Sequence, residues 1–246
     1  MAALFVFRSK WHEEYLASEL NEAVMLRTFF LLASLAFMLP ASAQDNAAPG
    51  VQRLHAAASR GDARVMATLL DHGVPVDGRN NNGETALLLA VQAGHTLIAD
   101  MLVARGADIN AQAANKDTPW LLAGADGRTA MLEFMLPRGP DYALRNRYGG
   151  SALIPACHHG HVDAVRFLTA HSKIDIDQVN NLGWTCLLET VILGDGGGAY
   201  REITRIVLAA GANPNLADKE GVTPLQHAQR RGHTDMARIL AAAGGR

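Results

Sequence analysis

A phrase of 33 residues recurs along most of this chain, and this period constrains the fold more than any other feature. The cleanest copy reads Gly221-Val222-Thr223-Pro224-Leu225 and then, after an apolar stretch, Gly232-His233. Equivalent phrases contain Thr85, Thr118 and Ser151, which follow one another at intervals of 33 residues. A fixed period of this length indicates a stack of small units, each burying its apolar face against its neighbours. The sequence therefore predicts one elongated domain.

Six copies account for almost all of the chain after residue 45. The repeat domain is predicted to span residues 44–246, with copies at residues 46–77, 78–110, 111–143, 144–177, 178–215 and 216–245. The longer fifth copy carries the insertion Gly194-Asp195-Gly196-Gly197-Gly198-Ala199, which lacks the Gly-Lys-Ser/Thr ending of a phosphate-binding loop. We expect this insertion to be a flexible loop between the two helices of the fifth copy.

Each copy carries the signals of two short helices. Thr223 and its equivalents, including Ser151, are predicted N-caps, and Pro224 suits the first helical position. Gly232-His233 is predicted to end the first helix, and Gly106-Ala107-Asp108 to close a second one. Helices this short fall below the about 12–15 residues needed to persist alone in water, so they must pack against neighbouring copies.

Two copies depart from the pattern. In the fourth copy, Pro155 lacks the N–H that would make the first hydrogen bond of its helix, so a frayed start is expected. In the third copy, Lys116 replaces the glycine expected at the hairpin. The middle of the stack is therefore predicted to be irregular.

The phrase Thr223-Pro224-Leu225 followed by Gly232-His233 resembles the ankyrin-repeat family, and the resemblance covers about four-fifths of the chain. It implies an all-α repeat solenoid, in which about six helix–turn–helix units with β-hairpin fingers stack into a curved array. It also implies a monomeric, non-enzymatic scaffold that binds another protein and needs no cofactor.

Residues 25–43 follow the pattern of a secretory signal peptide. One positive charge at Arg27 precedes an uncharged apolar run, and the small residues Ala41-Ser42-Ala43 form a cleavage site before Gln44. The apolar run is shorter than the about 20 residues of a spanning helix. We therefore expect export to the periplasm, without membrane insertion once the signal is cleaved.

Residues 1–24 stand ahead of that signal and carry several glutamates. They are interpreted as an over-extended start, with Met25 as the biological one. A genuine long head, or a cytoplasmic tail before an uncleaved anchor, are the alternatives.

The charge balance argues against nucleic acid as a partner. The chain has 22 Lys and Arg residues against 24 Asp and Glu residues, a formal net charge of −2. The sequence shows no basic stripe that would follow a phosphate backbone.

Two cysteines, Cys157 and Cys186, occur in a chain expected to reach an oxidising compartment. On the repeat, Cys157 lies late in the first helix of copy four, and Cys186 begins the equivalent helix of copy five. The offset is about 7.5 Å along a helix axis, and neighbouring axes add about 8–10 Å sideways. Bridged Cα atoms lie within about 7 Å, so two free, buried cysteines are expected.

The run Cys157-His158-His159-Gly160-His161 is the densest group of candidate metal ligands. Cysteine and imidazole suit zinc or copper, which makes a metal site the alternative interpretation. His161, however, occupies the repeated slot of His95 and His233, where a role in the interhelix turn is expected. We therefore predict no metal, and we find no nucleophile–base pattern that would indicate a catalytic site.

The family resemblance places binding residues at the finger tips and on the first helices. The candidates carried over in this way are Arg147, Tyr148, Trp184, His158, His159, Asn181, Asn82, Asn115, Arg230 and Arg231. Tyr148 and Trp184 are the prominent ones, because aromatic residues and arginine dominate binding hot spots. The alternative for these two side chains is that they only shield the hairpin turns.

Three functions fit these expectations. The first is a periplasmic scaffold that assists or restrains another exported protein, and an inhibitor or immunity factor is a special case of it. The runner-up is an effector secreted into a host cell to bind host proteins. An enzyme is the least expected class.

Overall fold

The computed structural model describes residues 49–246, so the predictions for residues 1–24, for the signal peptide at residues 25–43 and for the first residues of the repeat domain lie outside the described part. The described residues form twelve α-helices and one 3-10 turn, with no β-strand among them. In chain order the helices are α1 Pro49–Arg60, α2 Ala63–Asp71, α3 Ala86–Ala93, α4 Thr96–Ala104, α5 Pro119–Ala125, α6 Thr129–Met135, α7 Leu153–His158, α8 Val162–His171, α9 Cys186–Ile192, α10 Gly198–Ala209, α11 Pro224–Arg230 and α12 Thr234–Ala242. The 3-10 turn, Leu136–Arg138, follows α6. Two helices per copy over six copies confirm the predicted all-α repeat architecture.

The helices stack in two rows. Each odd-numbered helix contacts the next odd-numbered one, and the even-numbered helices contact one another in the same way. Between the rows runs one continuous apolar core, from Leu54 in the first repeat to Leu240 in the last. Trp120 in α5 is the largest fully buried side chain. Since every repeat buries its core only against its neighbours, stability is a sum of nearest-neighbour interfaces.

Threonine caps begin four of the odd-numbered helices, which we call the inner helices (the even-numbered ones are the outer helices), as the repeated phrase predicts. The Thr85 hydroxyl accepts a hydrogen bond from the Leu88 N–H at 3.3 Å. Equivalent bonds are made by Thr118, Thr185 and Thr223. At Thr223 the bond is part of a capping box with Gln226. These caps satisfy N–H groups that a short helix cannot bond internally.

Ser151 is not the N-cap that the sequence predicted. Helix α7 begins only at Leu153, and the buried Ser151 hydroxyl makes no hydrogen bond. In repeat two, the Leu89 N–H closes the first turn by donating to the Thr85 carbonyl. Pro155 has no N–H for the same bond, so the first turn does not close. The frayed start expected at this proline is therefore present.

Histidines occupy the interhelix turns, as expected. His95, His161 and His233 precede α4, α8 and α12, and each backbone N–H donates to the carbonyl of the residue five positions earlier. Burial lowers the pKa of His161 and of His233, which favours neutral imidazoles in these turns. These rings are part of the stacking surface between repeats.

The insertion predicted as a flexible loop in the fifth repeat is flanked by hydrogen bonds to other repeats. Its last residues start α10, and the Tyr200 hydroxyl reaches back to donate to the His158 carbonyl at 3.0 Å. On the other side, Arg231 Nη2 donates to the Gly194 carbonyl at 3.1 Å. The insertion is thus bonded to the fourth repeat and to the sixth.

Candidate protein-binding surface

Four of the five described fingers, which we number two to six after their repeats, are tight hairpin turns organised by one Asn or Asp side chain, and finger three has Ala113 at that position. In repeat two, Asn80 Oδ1 accepts hydrogen bonds from the N–H groups of Asn82 and Glu84, both at 2.9 Å, and the Asn80 N–H donates to the Glu84 carbonyl at 3.1 Å. The same arrangement recurs at Asn146, Asn180 and Asp218. The fingers are therefore rigid turns, although they contain no strand within residues 49–246.

Hydrogen bonds between neighbouring fingers hold them in a row. The Ala114 N–H donates to the Asn82 carbonyl at 2.8 Å, and the Asn181 N–H donates to the Tyr148 carbonyl at 2.9 Å. Asn181 also donates through Nδ2 to the Arg147 carbonyl at 3.3 Å. Backbone and side chain of Asn181 thus fix the tip of finger four against finger five.

A second series of bridges comes from residues that sequence reasoning missed. Long polar side chains stand at intervals of 33 residues at Arg79, Gln112, Arg145 and Gln178. Arg79 donates to the Gln112 carbonyl, Gln112 Nε2 to the Arg145 carbonyl at 3.1 Å, and Gln178 Nε2 to the Gly149 carbonyl at 2.8 Å. The common spacing of these residues was the available signal: Arg79 and Gln112 reach the following finger, Gln178 reaches the preceding one, and Arg145 bonds within its own repeat.

Three of the predicted site residues come together at fingers four and five. The Arg147 guanidinium carbon lies 4.8 Å from the centroid of the Tyr148 ring, a cation–π geometry. Asn181 lies against both through the bonds described above. Arg147 is exposed and Tyr148 half-buried, so both can contribute to a surface. Trp184 is half-buried and closes finger five, its backbone N–H donating to Asn180 Oδ1 at 3.0 Å.

A groove of about 470 Å³ lies between fingers three, four and five, and we refer to it as the finger groove. Its polar lining consists of Lys116, Arg145, Asn146, Arg147, Gln178 and Asn181. Val179, which is 49% exposed, adds an apolar wall. No carboxylate occurs among the described residues that line it, so the groove is cationic.

Lys116 enters the groove from an unusual backbone conformation. Its φ is +66°, and it is the only non-glycine residue with a positive φ among residues 49–246. The equivalent positions of the other fingers are Gly83, Gly149, Gly183 and Gly221, all with positive φ. A lysine here carries a steric cost that glycine avoids.

A buried carboxyl lies behind the predicted histidines on the inner helices. The rings of His158 and His159 stack with centroids 4.4 Å apart. His158 Nδ1 is 3.6 Å from Glu189 Oε2, and Glu189 is only 2% exposed. Burial raises the pKa of Glu189 to about 8, although the hydrogen bond from Asn180 opposes this shift.

Sequence reasoning did not single out Glu189, but a local pattern marks its position. Glu189 follows the finger residue Asn180 by nine positions, and Asn180 Nδ2 donates to Glu189 Oε1 at 2.7 Å. In repeat six the same spacing joins Asp218 and His227, whose Oδ2 and Nε2 atoms are 2.6 Å apart. A polar residue nine positions after the finger Asn or Asp is therefore the partner of that finger.

Cys157 and Cys186 are joined by a disulfide, which corrects the expectation of two free cysteines. Their Cα atoms are 5.5 Å apart. The expectation assumed that successive inner helices lie side by side in register. They are staggered instead, and the preceding pair of repeats shows the same close approach. A Cβ placed on Gly124, the equivalent of Cys157, would lie 2.7 Å from the Cβ of Ala152, the equivalent of Cys186. The Cys157 sulfur is consequently engaged and is not a thiolate ligand.

Four of the other predicted binding residues do not join the group formed by Arg147, Tyr148 and Asn181. Asn82 and Asn115 are exposed on fingers two and three, where Asn115 Nδ2 donates to Asp117 Oδ2 at 2.7 Å. Arg230 is exposed at the end of α11. Arg231 belongs to the opposite edge, where it holds the insertion of repeat five.

Among residues 49–246 no helix is both long enough and apolar enough to cross a bilayer. Within the same residues, no three or more His, Cys, Asp and Glu side chains converge as a metal site would require.

Comparisons with known proteins agree with this architecture. The family model described as ankyrin repeats, in three copies, matches residues 20–113 and 120–197. A solved ankyrin repeat domain from Acinetobacter baumannii AYE is 46% identical, with a TM-score of 0.75 over 78% of this chain and 98% of that domain. The ankyrin repeat domain of Bcl-3 is 26% identical, with a TM-score of 0.70 over 79% of this chain and 86% of that domain.

Among curated proteins, the ankyrin repeat protein YahD of Escherichia coli (strain K12) is 47% identical over 98 residues. The matched region is 40% of this chain and 49% of YahD, so the chain spans about half the length of that relative. The SMC5-SMC6 complex localization factor protein 1 of Bos taurus is 32% identical over 100 residues, which cover only 9% of that protein.

Proposed function

Because the chain belongs to the ankyrin-repeat family, we propose that it is a non-enzymatic protein-binding scaffold exported to the periplasm, where it assists or restrains another exported protein. An inhibitor or immunity factor is the specialised form of this function. Ankyrin repeat domains generally act as protein-interaction modules, and the general part of the proposal rests on that membership.

The observation that carries the proposal is the arrangement of Arg147, Tyr148 and Asn181. Finger four carries an arginine over a tyrosine ring, and hydrogen bonds from Asn181 of finger five to the carbonyls of both residues fix the backbone beneath them. Arginine and tyrosine are enriched in binding hot spots, and a side chain ordered before binding loses less entropy on association. A pair of this kind, with an exposed arginine over a half-buried tyrosine ring, suits the centre of a protein interface.

The disulfide supports the proposed compartment. Disulfides persist in oxidising surroundings such as the periplasm and are rare in the cytosol. Cys157 and Cys186 are both fully buried and lie on two different repeats, so their bond is part of the stack. The signal sequence expected at residues 25–43 supports the same compartment on separate grounds.

The similarity to a eukaryotic protein, the SMC5-SMC6 complex localization factor protein 1 of Bos taurus, favours one second candidate. An effector delivered into a host cell would also carry an export signal and a protein-binding surface. The two candidates differ in where the partner is found, which is the periplasm for the first and the host cell for the second.

Site-specific photo-crosslinking tests the proposal directly. A photoreactive amino acid is placed at Tyr148 in the chain expressed in its own organism, and a matched variant carries it at Ala130, an exposed position on α6. We expect a discrete crosslinked protein in the periplasmic fraction for position 148 and none for position 130. Identical products at both positions would refute the binding surface, and a protein confined to the cytosol would refute the compartment.

A further inference from the structure

We propose that the finger groove binds a short acidic peptide segment of the partner protein, with Lys116, Arg145 and Arg147 as the groups that recognise its carboxylates. This inference rests on the proposed function, because it names the chemistry of the partner at the same fingers. It makes a separate prediction, however, that can be measured with the purified protein alone.

The two arginines of the groove are held in place before a ligand arrives. Arg145 Nη1 donates to the Tyr142 carbonyl at 2.6 Å and to the Leu144 carbonyl at 2.9 Å, which fixes the plane of the guanidinium. The Arg147 guanidinium is held over the Tyr148 ring. Planar guanidinium groups bind carboxylates through paired hydrogen bonds, and such charge-assisted bonds are about twice as strong as neutral ones.

The backbone of Lys116 points to function at the same place. Glycine is the residue that this turn position favours, and four of the other fingers use it. A lysine in the left-handed region costs stability, and such outliers cluster at binding and active sites. Here the unusual residue adds a third cation to a groove that already contains two arginines.

The shape of the groove selects the kind of occupant. Its volume of about 470 Å³ lies within the about 300–1,000 Å³ of typical ligand pockets, so a short segment of chain fits better than a broad protein surface. Side chains on one face of an extended segment repeat about every 7 Å. Two carboxylates at that spacing can face different cations, while Val179 offers an apolar contact beside them.

The test uses fluorescence anisotropy with a labelled extended decapeptide that carries four glutamates. A matched peptide carries glutamine at those four positions. The affinity is measured at about 50 mM and about 150 mM salt, since the distance over which exposed charges interact shortens to about 8 Å at the higher concentration. We expect the glutamate peptide to bind at least tenfold more tightly than the glutamine peptide at the lower salt concentration.

Variants of the protein locate the binding to the groove. Lys116→Gly removes a cation and supplies the residue that the turn favours, so the melting temperature should stay the same or rise while peptide affinity falls about two- to fivefold. Lys116→Gly combined with Arg147→Gln should weaken binding about tenfold. Arg64→Gln, on an exposed position of α2, is the charge-matched control and should leave affinity unchanged.

Four results would overturn the inference. Equal affinity for the glutamate and glutamine peptides would show that carboxylates are not recognised. Unchanged affinity in the double variant, or an equal loss in Arg64→Gln, would place any binding outside the groove. If inorganic polyphosphate displaces the peptide at equal charge concentration, the groove is a general polyanion site. None of these results depends on the crosslinking partner of Tyr148, so the two proposals fail separately.

Discussion

Asn180 donates a 2.7 Å hydrogen bond to Glu189, a carboxyl that is only 2% exposed and whose other oxygen has no hydrogen-bond partner. The finger of repeat five is thereby tied to its inner helix through a group that burial keeps protonated. His158, with its Nδ1 atom 3.6 Å from Glu189, is the titratable side chain that faces this carboxyl from the neighbouring repeat.

Glu189 should make stability depend on pH. Its pKa is about 8 in the folded chain, against 4.5 for an ordinary glutamate. Between these values the folded state keeps a proton that the unfolded state releases, so the free energy of unfolding falls as pH rises. The loss is at most about 1.4 kcal/mol per pH unit, less where a protonated His158 stabilises the carboxylate.

Glu189→Gln isolates this effect, because an amide does not ionise. In urea unfolding at pH 5, 6.5 and 8, the free energy of unfolding of the variant should rise relative to that of the wild type as pH rises, with the largest difference at pH 8. Glu133→Gln, an exposed position on α6, is the control and should follow the wild type. A constant difference between Glu189→Gln and wild type across this range would contradict the prediction.

Removing the disulfide should destabilise the stack. The bond closes a loop with a sequence separation of 29, for which chain entropy gives a contribution of about 3–4 kcal/mol. Urea unfolding with and without reductant measures this contribution, and mass spectrometry after thiol alkylation confirms the redox state. In the double variant Cys157→Ala/Cys186→Ala, the reductant should have no effect. A wild-type midpoint that does not change on complete reduction would refute the contribution.

Two hydroxyls in equivalent positions should behave in opposite ways. Thr185 accepts a hydrogen bond from the Leu188 N–H at 3.2 Å, so Thr185→Ala should cost about 1 kcal/mol through loss of the cap. Ser151 is buried without a bond to its hydroxyl, so Ser151→Ala should be neutral or stabilising. Thermal unfolding of both variants decides this, and equal losses at the two sites would be inconsistent with the caps described.

The effect of truncating a buried leucine on unfolding should depend on the position of its repeat in the stack. Leu87 is fully buried in α3 with a repeat on each side, and Leu87→Ala should cost about 2–5 kcal/mol. Leu225 lies in the last described repeat and is 8% exposed. Hydrogen exchange should show Leu225→Ala releasing the amides of α11 and α12 before the rest unfolds. A uniform loss of protection in both variants would indicate all-or-none unfolding instead.

The regular parts of the fold could be predicted because they recur in the sequence. The period of 33 residues gives the number of units, and threonine before an apolar turn gives the helix starts. Pro155 signals the irregular start of α7 because the missing N–H is a property of the residue itself.

The features that could not be predicted from the sequence depend on how neighbouring repeats pack against each other. The Cys157–Cys186 bond forms because successive inner helices are staggered. The spacing of residues within one repeat gives no information about this stagger. The finger groove likewise arises where Lys116, Arg145 and Arg147 converge from two adjacent fingers. Tyr148 was predicted from its type, whereas its contact with Arg147 required the shape of the turn.

The disulfide also decides how this protein would respond to mechanical force. A stack with only nearest-neighbour contacts unravels from its ends when it is pulled. At Cys157 the advancing tension would pass through the sulfur atoms to Cys186, and the chain between them would bear no load. With a separation of 29 residues, the fully stretched molecule would be about 100 Å shorter than its reduced form. The disulfide therefore keeps the segment between the two cysteines from being extended. This segment contains the end of α7 and the whole of α8.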